Sequence, residues 1–534
     1  MGHVSSKLRN KAAKVRSMIK ILKEISTDFE YALNRASDSP GIPRSNPTEP
    51  YWLDDPPYPE LTNIQSRQRL PDFVDVAIIG SGIAGASIAR SLLHERRRRG
   101  VDLDKKVVVF EARDLCSGAT GRNGGHIKPS PYDTFAQLST FMPKDRAAAL
   151  TRFQASHIDY LIELCREEGI DIAEAREVET VDFFVDEEMF HDAVGDVEES
   201  RKWLPEVQVF EWEKEDVLQQ FGVNEGVVGA ISQRAGTIWA YRFVVSIWKQ
   251  LLEDFPSQLI IQTNTPVTYI SAGPSAPGFP FAVQTPSGVI LARHVIHATN
   301  AFASELVPGL RRKITGARAH MSSQRPGDGF PETWGQRSWS VIYPGGFDYV
   351  TQRPSEIDGD VPGDILLGGG FRRSAKSGVD QMGVYDDSAY PKALAASHIS
   401  GIFPSIFHPN WGSGGELKKV WTGILGMTGD RLPLVGRLDE GLTTRIIDQQ
   451  HKTSEMDRTS PGEWIAAGYS GEGMVFAWLC GVALGIMVAG SEQEDIPQAP
   501  GRPGGMLQDW FPPELLISPQ RLRNTDVALL FQGE

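Results

Sequence analysis

The run Phe73-Val74-Asp75-Val76-Ala77-Ile78-Ile79 is apolar but for one acid, and it stops at Gly80. Its length and its β-branched residues predict a buried strand. From Gly85, the stretch GASIARSLLHE has helical propensity and an apolar face, and Val107-Val108-Val109-Phe110 is again short and wholly apolar. Strand, glycine turn, helix and strand make a βαβ unit, and hence a parallel sheet. Arg96 to Arg99 fall between that helix and the second strand and read first as a solvated loop, with contact to phosphate or membrane as the lesser reading.

Downstream, helical and acidic segments alternate over 145–225. A helix is predicted at Tyr241–Phe255, and strands at Leu259–Gln262, Val267–Ile270, Phe281–Gln284 and Val295–Ala298. Between 310 and 415 strands alternate with Gly/Pro loops, as in SWSVIYPG, FDYVTQRP and DILLGGGF, and the βαβ texture returns only at 464–490. The expected fold class is α/β. A Rossmann-like cofactor domain with a parallel sheet is interrupted by an α+β substrate domain with a mixed or antiparallel sheet. The boundaries read as cofactor-domain parts at 73–145, 236–305 and 416–490, a helical insertion at 146–235, a substrate sheet at 306–415 and a tail at 491–534.

The two ends differ in texture. Residues 1–35 hold a basic amphipathic helix: the first 23 residues carry seven Lys/Arg and no acid, with Leu8, Ala12, Val15, Ile19, Leu22 and Ile25 at helical spacing. A membrane-surface helix, a mitochondrial presequence and a docked extension are the competing readings, and Gly2 with Ser6 fits a myristoylation pattern. Residues 36–72 are a Pro-rich extended arm that Tyr51, Trp52 and Tyr58 would pin to the body. The charge-free run Met474 to Gly490 is shorter than the roughly 20 residues of a membrane helix and reads as a core helix.

With 534 residues, two or more domains are expected. A net charge of −14 makes the body a poor partner for nucleic acid. Cys116, Cys165 and Cys480 have no paired spacing, which argues against a disulfide framework and a metal site. An intracellular, cytoplasmic protein is expected, with a mitochondrial or membrane-associated location as the alternative.

Gly80-Ser81-Gly82-Ile83-Ala84-Gly85 is G-x-G-x-x-G between strand and helix. Such a turn brings backbone N–H groups and the positive end of a helix dipole to a pyrophosphate, and Glu111 at the end of the next strand would accept from a ribose. After Glu111-Ala112-Arg113 comes CSGATGRNGGH, whose small residues suit a second large group beyond the adenosine and so favour FAD over NAD.

The segments GSGIAGASIA, FEARDLCSGATGRNGGH and WIAAGYSGEGMVFAWLCG resemble the D-amino-acid-oxidase-type FAD-dependent oxidoreductases, the family of glycine, sarcosine and γ-glutamylputrescine oxidases. IYPGGFDYVTQRPS is similar to a fungal branch of that class, and the likeness spans roughly residues 40–490. It implies that Gly80, Gly82 and Gly85, with Ser81, Ile83 and Ala84 between them, hold the pyrophosphate, and that Glu111, Ala112 and Arg113 face the adenosine. Thr120, Arg122, Asn123, Gly124, Gly125 and His126 would line the path to the isoalloxazine, with Arg122 on phosphate. Val267, Ala298 and Thr299 would touch FAD through backbone. Gly468, Ser470, Gly471, Glu472, Gly473 and Met474 would face the flavin's pyrimidine edge, and Asp430 would lie under the ring. No cysteine stands where sarcosine-oxidase relatives attach their flavin, so noncovalent FAD is expected.

The cofactor implies hydride transfer to flavin N5 from a carbon bearing a neutral amine, with O2 as acceptor and H2O2 as product. Candidate catalytic or substrate residues are His126, His320, Tyr349, Gln352 and Arg372, with Tyr343, Arg318, Trp239 and Trp421 as further wall candidates. The expected partners are a small amine or amino acid and O2 or another acceptor. A dehydrogenase or tailoring oxidase using another acceptor, and a FAD-containing trafficking or scaffold protein, are the alternatives.

Overall fold

A computed structural model describes residues 26–101, 103–273, 276–355, 362–447 and 459–531. The basic amphipathic pattern and the myristoylation pattern lie outside the described residues.

The strand Phe73–Ile79 sits in the middle of an eight-stranded sheet. It is flanked in parallel by Gly288–His297 on one side and Val107–Phe110 on the other. Gly462–Ala467 and Leu259–Gln262 extend the parallel part outward, and Leu434–Arg437 closes one edge antiparallel. Strands buried on both faces must be apolar throughout, which is why the runs carry no alternation. The predicted strand at Val267–Ile270 forms at Tyr269–Ala272, in a hairpin with Phe281–Thr285.

The second sheet has nine strands and is mixed. Its long edge pair is Ile314–Arg325 against Glu416–Thr428, so the latter strand belongs to this sheet although its sequence position groups it with the last cofactor segment. Arg176–Phe184 joins Arg337–Tyr343 in parallel, and Gly229–Thr237 pairs with Arg176–Phe184 on one side and with His126–Ile127 on the other. The chain thus reaches the second sheet immediately after the CSGATGRNGG segment.

The helix after the glycine turn runs over Ile83–Arg99, so the four arginines form its last turn and not a loop. Cations there meet the negative end of the helix dipole. Each is also engaged: Arg96 with buried Asp75, Arg97 with Asp254, Arg98 with Glu95 at 3.0 Å and Arg99 with the Ala489 carbonyl. Gly100 then ends the helix at φ +63°.

The charge-free run forms the helix Ala477–Ala489, almost wholly buried. Among the described residues no helix is long and apolar enough to cross a membrane. This helix packs on Ile83–Arg99 through Gly481 and Gly485, where an added Cβ would come within 2.6 Å of Ser87 Cβ and 2.5 Å of Ser91 Cβ. Ser87 and Ser91 in turn donate to the Trp478 and Val482 carbonyls, at 2.6 and 2.9 Å. Residues 491–531 lie against the body: Trp478 Nε1 donates to the Gly501 carbonyl at 2.7 Å, and Arg521 grips Asp430 at 2.8 and 3.2 Å.

Because this helix contact is backbone-close, Gly481→Val should destabilise the protein by about 1–3 kcal/mol through overpacking, and Gly481→Ala by less. Equilibrium denaturation of the variants checks the order.

Candidate functional site

The glycine turn owes its form to close approaches. Gly80 has φ +107°, and a Cβ there would lie 2.5 Å from the Ala298 carbonyl oxygen. At Gly85 a Cβ would lie 2.1 Å from the Gly80 oxygen, so this third glycine sets how near the helix comes to the strand. Glu111 reaches across from the next strand: its carboxylate accepts from Ser81 N at 3.1 Å, Ser81 Oγ at 2.7 Å and Arg113 N at 3.0 Å. The acid therefore braces the turn while its remaining lone pairs face the cleft.

CSGATGRNGGH follows as a one-turn 3₁₀ helix, Ala119–Arg122, and a short strand. Thr120 Oγ1 accepts from Ile83 N at 3.1 Å, which joins the segment to the first turn of the glycine-turn helix. Asn123 Oδ1 takes Gly125 N at 2.7 Å, and Gly125, at φ +67°, passes so close to the Ile238 carbonyl that a Cβ would stand 1.9 Å from its oxygen. Arg122 differs from expectation. Its guanidinium is buried and donates to the Ser117 carbonyl at 3.0 Å and the Thr422 carbonyl at 2.8 Å, with Asp387 3.6 Å away. Burial, and then the neighbouring Arg113, pull its pKa down to about 10. Arg122 is a brace between this segment and the second sheet, not a phosphate ligand. Arg113 does line the cleft, and it also holds Asp387, at 2.9 Å.

The third wall is Gly468–Met474. Asn300 Oδ1 accepts from Gly468 N at 2.9 Å, and Ser470 Oγ accepts from Thr428 N at 3.1 Å, so Gly468 and Ser470 anchor the turn from behind. Gly471 and Gly473 face the cleft, and a Cβ on either would meet no protein atom within 4 Å. Asp430 is spent elsewhere: Arg521 and Thr525 occupy its carboxylate, so it does not face the ring as the motif implied.

These walls line one cleft of about 200 Å³. Two buried hydroxyls on the lining, Thr299 Oγ1 and Tyr469 OH, have no hydrogen-bond partner among the described residues. Beyond Asn123 the strand His126–Ile127 brings a polar group onto the second sheet. His126 Nε2 meets Ser338 Oγ at 2.9 Å, and two residues on, on the same face, Lys128 pairs with Asp182 and reaches Ser340 Oγ at 2.7 Å. Tyr132 donates to the other Asp182 oxygen at 2.9 Å. Tyr349 accepts from Gly124 N at 3.2 Å, and its ring centroid lies 6.1 Å from that of His126. Burial drives the Tyr349 phenol up to about 12 and His126 well below its ordinary value, with Lys128 adding to the latter. Glu472, between the two cleft-lining glycines, makes no side-chain hydrogen bond or ion pair among the described residues. Crowding by protein atoms, and then the like charge of Asp133, lift its carboxyl to about 7 although solvent still reaches the side chain, while Lys128 pulls the other way.

The family model for FAD dependent oxidoreductases matches residues 75–485. The chain belongs to that family. Among curated proteins it is similar to Probable oxidoreductase OrdL of Haemophilus influenzae, 22% identical over 450 residues, with 82% of this chain and 86% of the relative covered. Its fold is similar to glycine oxidase from Geobacillus kaustophilus (TM-score 0.56, 19% identity, 78% and 95% of the two chains covered). It is likewise similar to L-amino acid deaminase from Proteus vulgaris (TM-score 0.57, 15% identity, 80% and 96% covered).

The cofactor of this oxidoreductase is FAD, and the cleft fits it: a glycine cradle, unpartnered hydroxyls and two open glycine positions converge on one lining. The residues placed to hold it are Gly80, Ser81, Gly82, Ile83 and Ala84; Glu111, Ala112 and Arg113; Thr120 and Asn123; Val267, Ala298 and Thr299; and Gly471, Gly473 and Met474. Sequence reading missed the contributions of Gly41, Ile42 and Pro43, and of Glu305 and Asp387. No motif marks them.

Of the catalytic candidates, His126 and Tyr349 come together and the others do not. His320 alternates with Met321, the residue whose sulfur meets Tyr349 at 3.2 Å, and so lies on the opposite face. Burial, and then Arg318, lower its pKa to about 4. Gln352 is consumed by Thr333, the Gly335 N–H and the Gly363 carbonyl. Arg372 sits on the turn Phe371–Arg373 and donates to the Ser377 carbonyl, and Arg318 holds Gln381. Trp239 packs on Trp52 under Arg242, Trp421 donates to the Arg122 carbonyl, and Tyr343 donates to Asp348. The groups missed on the substrate side are Lys128, Asp133 and Asp182. The only sequence signal was the strand spacing from His126 to Lys128.

Gly473→Leu places a side chain at the cleft lining, where its Cβ meets no protein atom within 4 Å. We expect apoprotein stability to change by no more than about 0.5 kcal/mol, and FAD affinity to fall by on the order of tenfold or more, 1.4 kcal/mol per decade. Fluorescence titration of the apoprotein with FAD, beside thermal unfolding, checks both.

Proposed function

We propose that this enzyme oxidises a C–N bond of a small amine or amino acid, with O2 as acceptor and H2O2 as second product, using FAD held without a covalent bond. The observation that carries the proposal is the position of Glu472, a solvent-reached carboxyl with no side-chain hydrogen bond or ion pair among the described residues, between the cleft-lining Gly471 and Gly473. Bound FAD supplies a two-electron acceptor able to take a hydride from carbon.

The chain's own task is to present that carbon with its amine neutral. An amine reaches the site as an ammonium, whose nitrogen lone pair is tied up. The Glu472 carboxylate accepts one N–H proton, freeing the lone pair to form the C=N bond as hydride leaves carbon. Asp133 adds negative charge near the ammonium, and Lys128, neutralised by Asp182, leaves that attraction in place. Tyr349 is held protonated and donates to the Met321 sulfur at 3.2 Å, so it is not a base. The substrate's lost hydride and proton account for the two electrons and two protons that convert O2 to H2O2, and water then splits the imine. The buried thiols of Cys116, Cys165 and Cys480 line no part of the cleft, which supports noncovalent cofactor.

The sign of the pH dependence follows. Below about pH 7 Glu472 is protonated and cannot take the proton; above it the carboxylate can. In the free enzyme kcat/KM should therefore rise with pH through about 7. Glu472→Gln should flatten that limb and lower kcat/KM by about 10²- to 10⁴-fold, the usual worth of a general base. Peroxide release across a panel of primary, secondary and N-methyl amines and amino acids tests the reaction. Flavin bleaching that persists in air would instead identify a dehydrogenase. Loss of activity in Glu472→Gln with the pH limb unchanged would remove the proton-accepting role.

A further inference from the structure

The Pro-rich arm does more than lie on the surface. Gly41, Ile42 and Pro43 are part of the cofactor cleft lining. On one rim Glu305, itself on the lining, accepts from Gly41 N at 2.8 Å and from Ser39 Oγ. On the other, Arg113 donates to the Arg44 carbonyl at 3.4 Å, and Thr48 N donates to the Asp387 carbonyl at 2.8 Å. Within ten residues the chain thus ties the segment after Ala298 to the segment after Glu111, the two sides of the cleft. Ile42 is out of keeping with an ordinary arm residue: it lines the cleft yet keeps 49 % of its surface accessible.

We propose that residues 39–48 are a clasp for FAD, fixed to both rims by Glu305 and Asp387, with Ile42 as the apolar face that closes on the bound cofactor. An apolar side chain is left half uncovered by the protein alone when its remaining cover comes from a ligand, because exposed apolar surface is stabilised only by being removed from water. Three residues of wall from a segment outside the family-matched region also explain why no cofactor motif marks them.

The test uses full-length holoprotein and the rate at which FAD leaves it, read from the rise in free-flavin fluorescence after large dilution into buffer. Covering the rest of one isoleucine is worth about tenfold in retention. Ile42→Ser should speed release by about tenfold, with a smaller loss of apoprotein stability that reflects only the half of the side chain already covered by protein. Glu305→Ala, which frees one end of the clasp, should speed both release and uptake of FAD. Pro43→Gly, which loosens the strap without removing its anchors, should act in the same direction more weakly. Release within twofold of wild type in both Ile42→Ser and Glu305→Ala would overturn the clasp, as would faster release that is matched by an equal loss of apoprotein stability.

Discussion

Two guanidinium groups share one buried carboxylate where the two halves of this molecule meet. Asp387 pairs with Arg113 and lies 3.6 Å from Arg122, while the Asp387 carbonyl accepts from Thr48 N and Thr422 Oγ1. Four stretches of chain far apart in sequence are thereby joined: the segment after Glu111, the proline-rich arm, the loop before residue 390 and the edge strand of the second sheet. Ion pairs of this kind are poor sources of net stability, but removing one member costs about 3–5 kcal/mol because the other is left buried and unpaired. The junction works as a specification of geometry. It fixes how far the cofactor sheet stands from the substrate sheet, and every distance across the cleft inherits that spacing.

The cofactor half was legible in the sequence because its constraints are local. A tight turn, a close helix and a backbone wall all demand glycine within a few residues of one another, and Gly80, Gly82 and Gly85 carry that demand on their face. Gly471 and Gly473 do the same at the start of the last helix. The substrate half was not legible because its constraints act at long range. Whether Arg122 faces a phosphate or a carbonyl depends on Thr422 and Asp387, some 300 residues away. Asp430 reads as a site residue until Arg521 arrives from the C-terminal segment to take it. The misplaced His320 is a matter of strand phase: one residue of register separates it from Met321, and the sequence does not say which face looks at the cleft.

The two sheets also divide the electrostatic labour. The cofactor sheet presents backbone donors and hydroxyls with little fixed charge besides Glu111 and Arg113. The second sheet and the segment leading into it carry Lys128, Asp182 and His126 on one face, with Glu472 and Asp133 electrostatically coupled to Lys128 from other elements. A glycine-rich, backbone-lined wall is thus separated from a cluster of titratable side chains, and the segment Thr120–His126 runs between them. Its glycines let two unlike environments lie side by side, since Gly124 admits the Tyr349 ring and Gly125 admits the Ile238 backbone.

The arm's position has a consequence for how the chain assembles. Its anchors lie 339 and 374 residues downstream for Thr48, and 344 to 347 residues downstream for Arg35. Closing loops of that length costs entropy before any contact repays it. As the chain leaves the ribosome the arm emerges early, yet it has nothing to dock on until the loop around Asp387 and the strand holding Thr422 have been made. The arm is therefore made long before the segments it docks on, and the order of synthesis holds the cleft's arm side open until those segments are in hand.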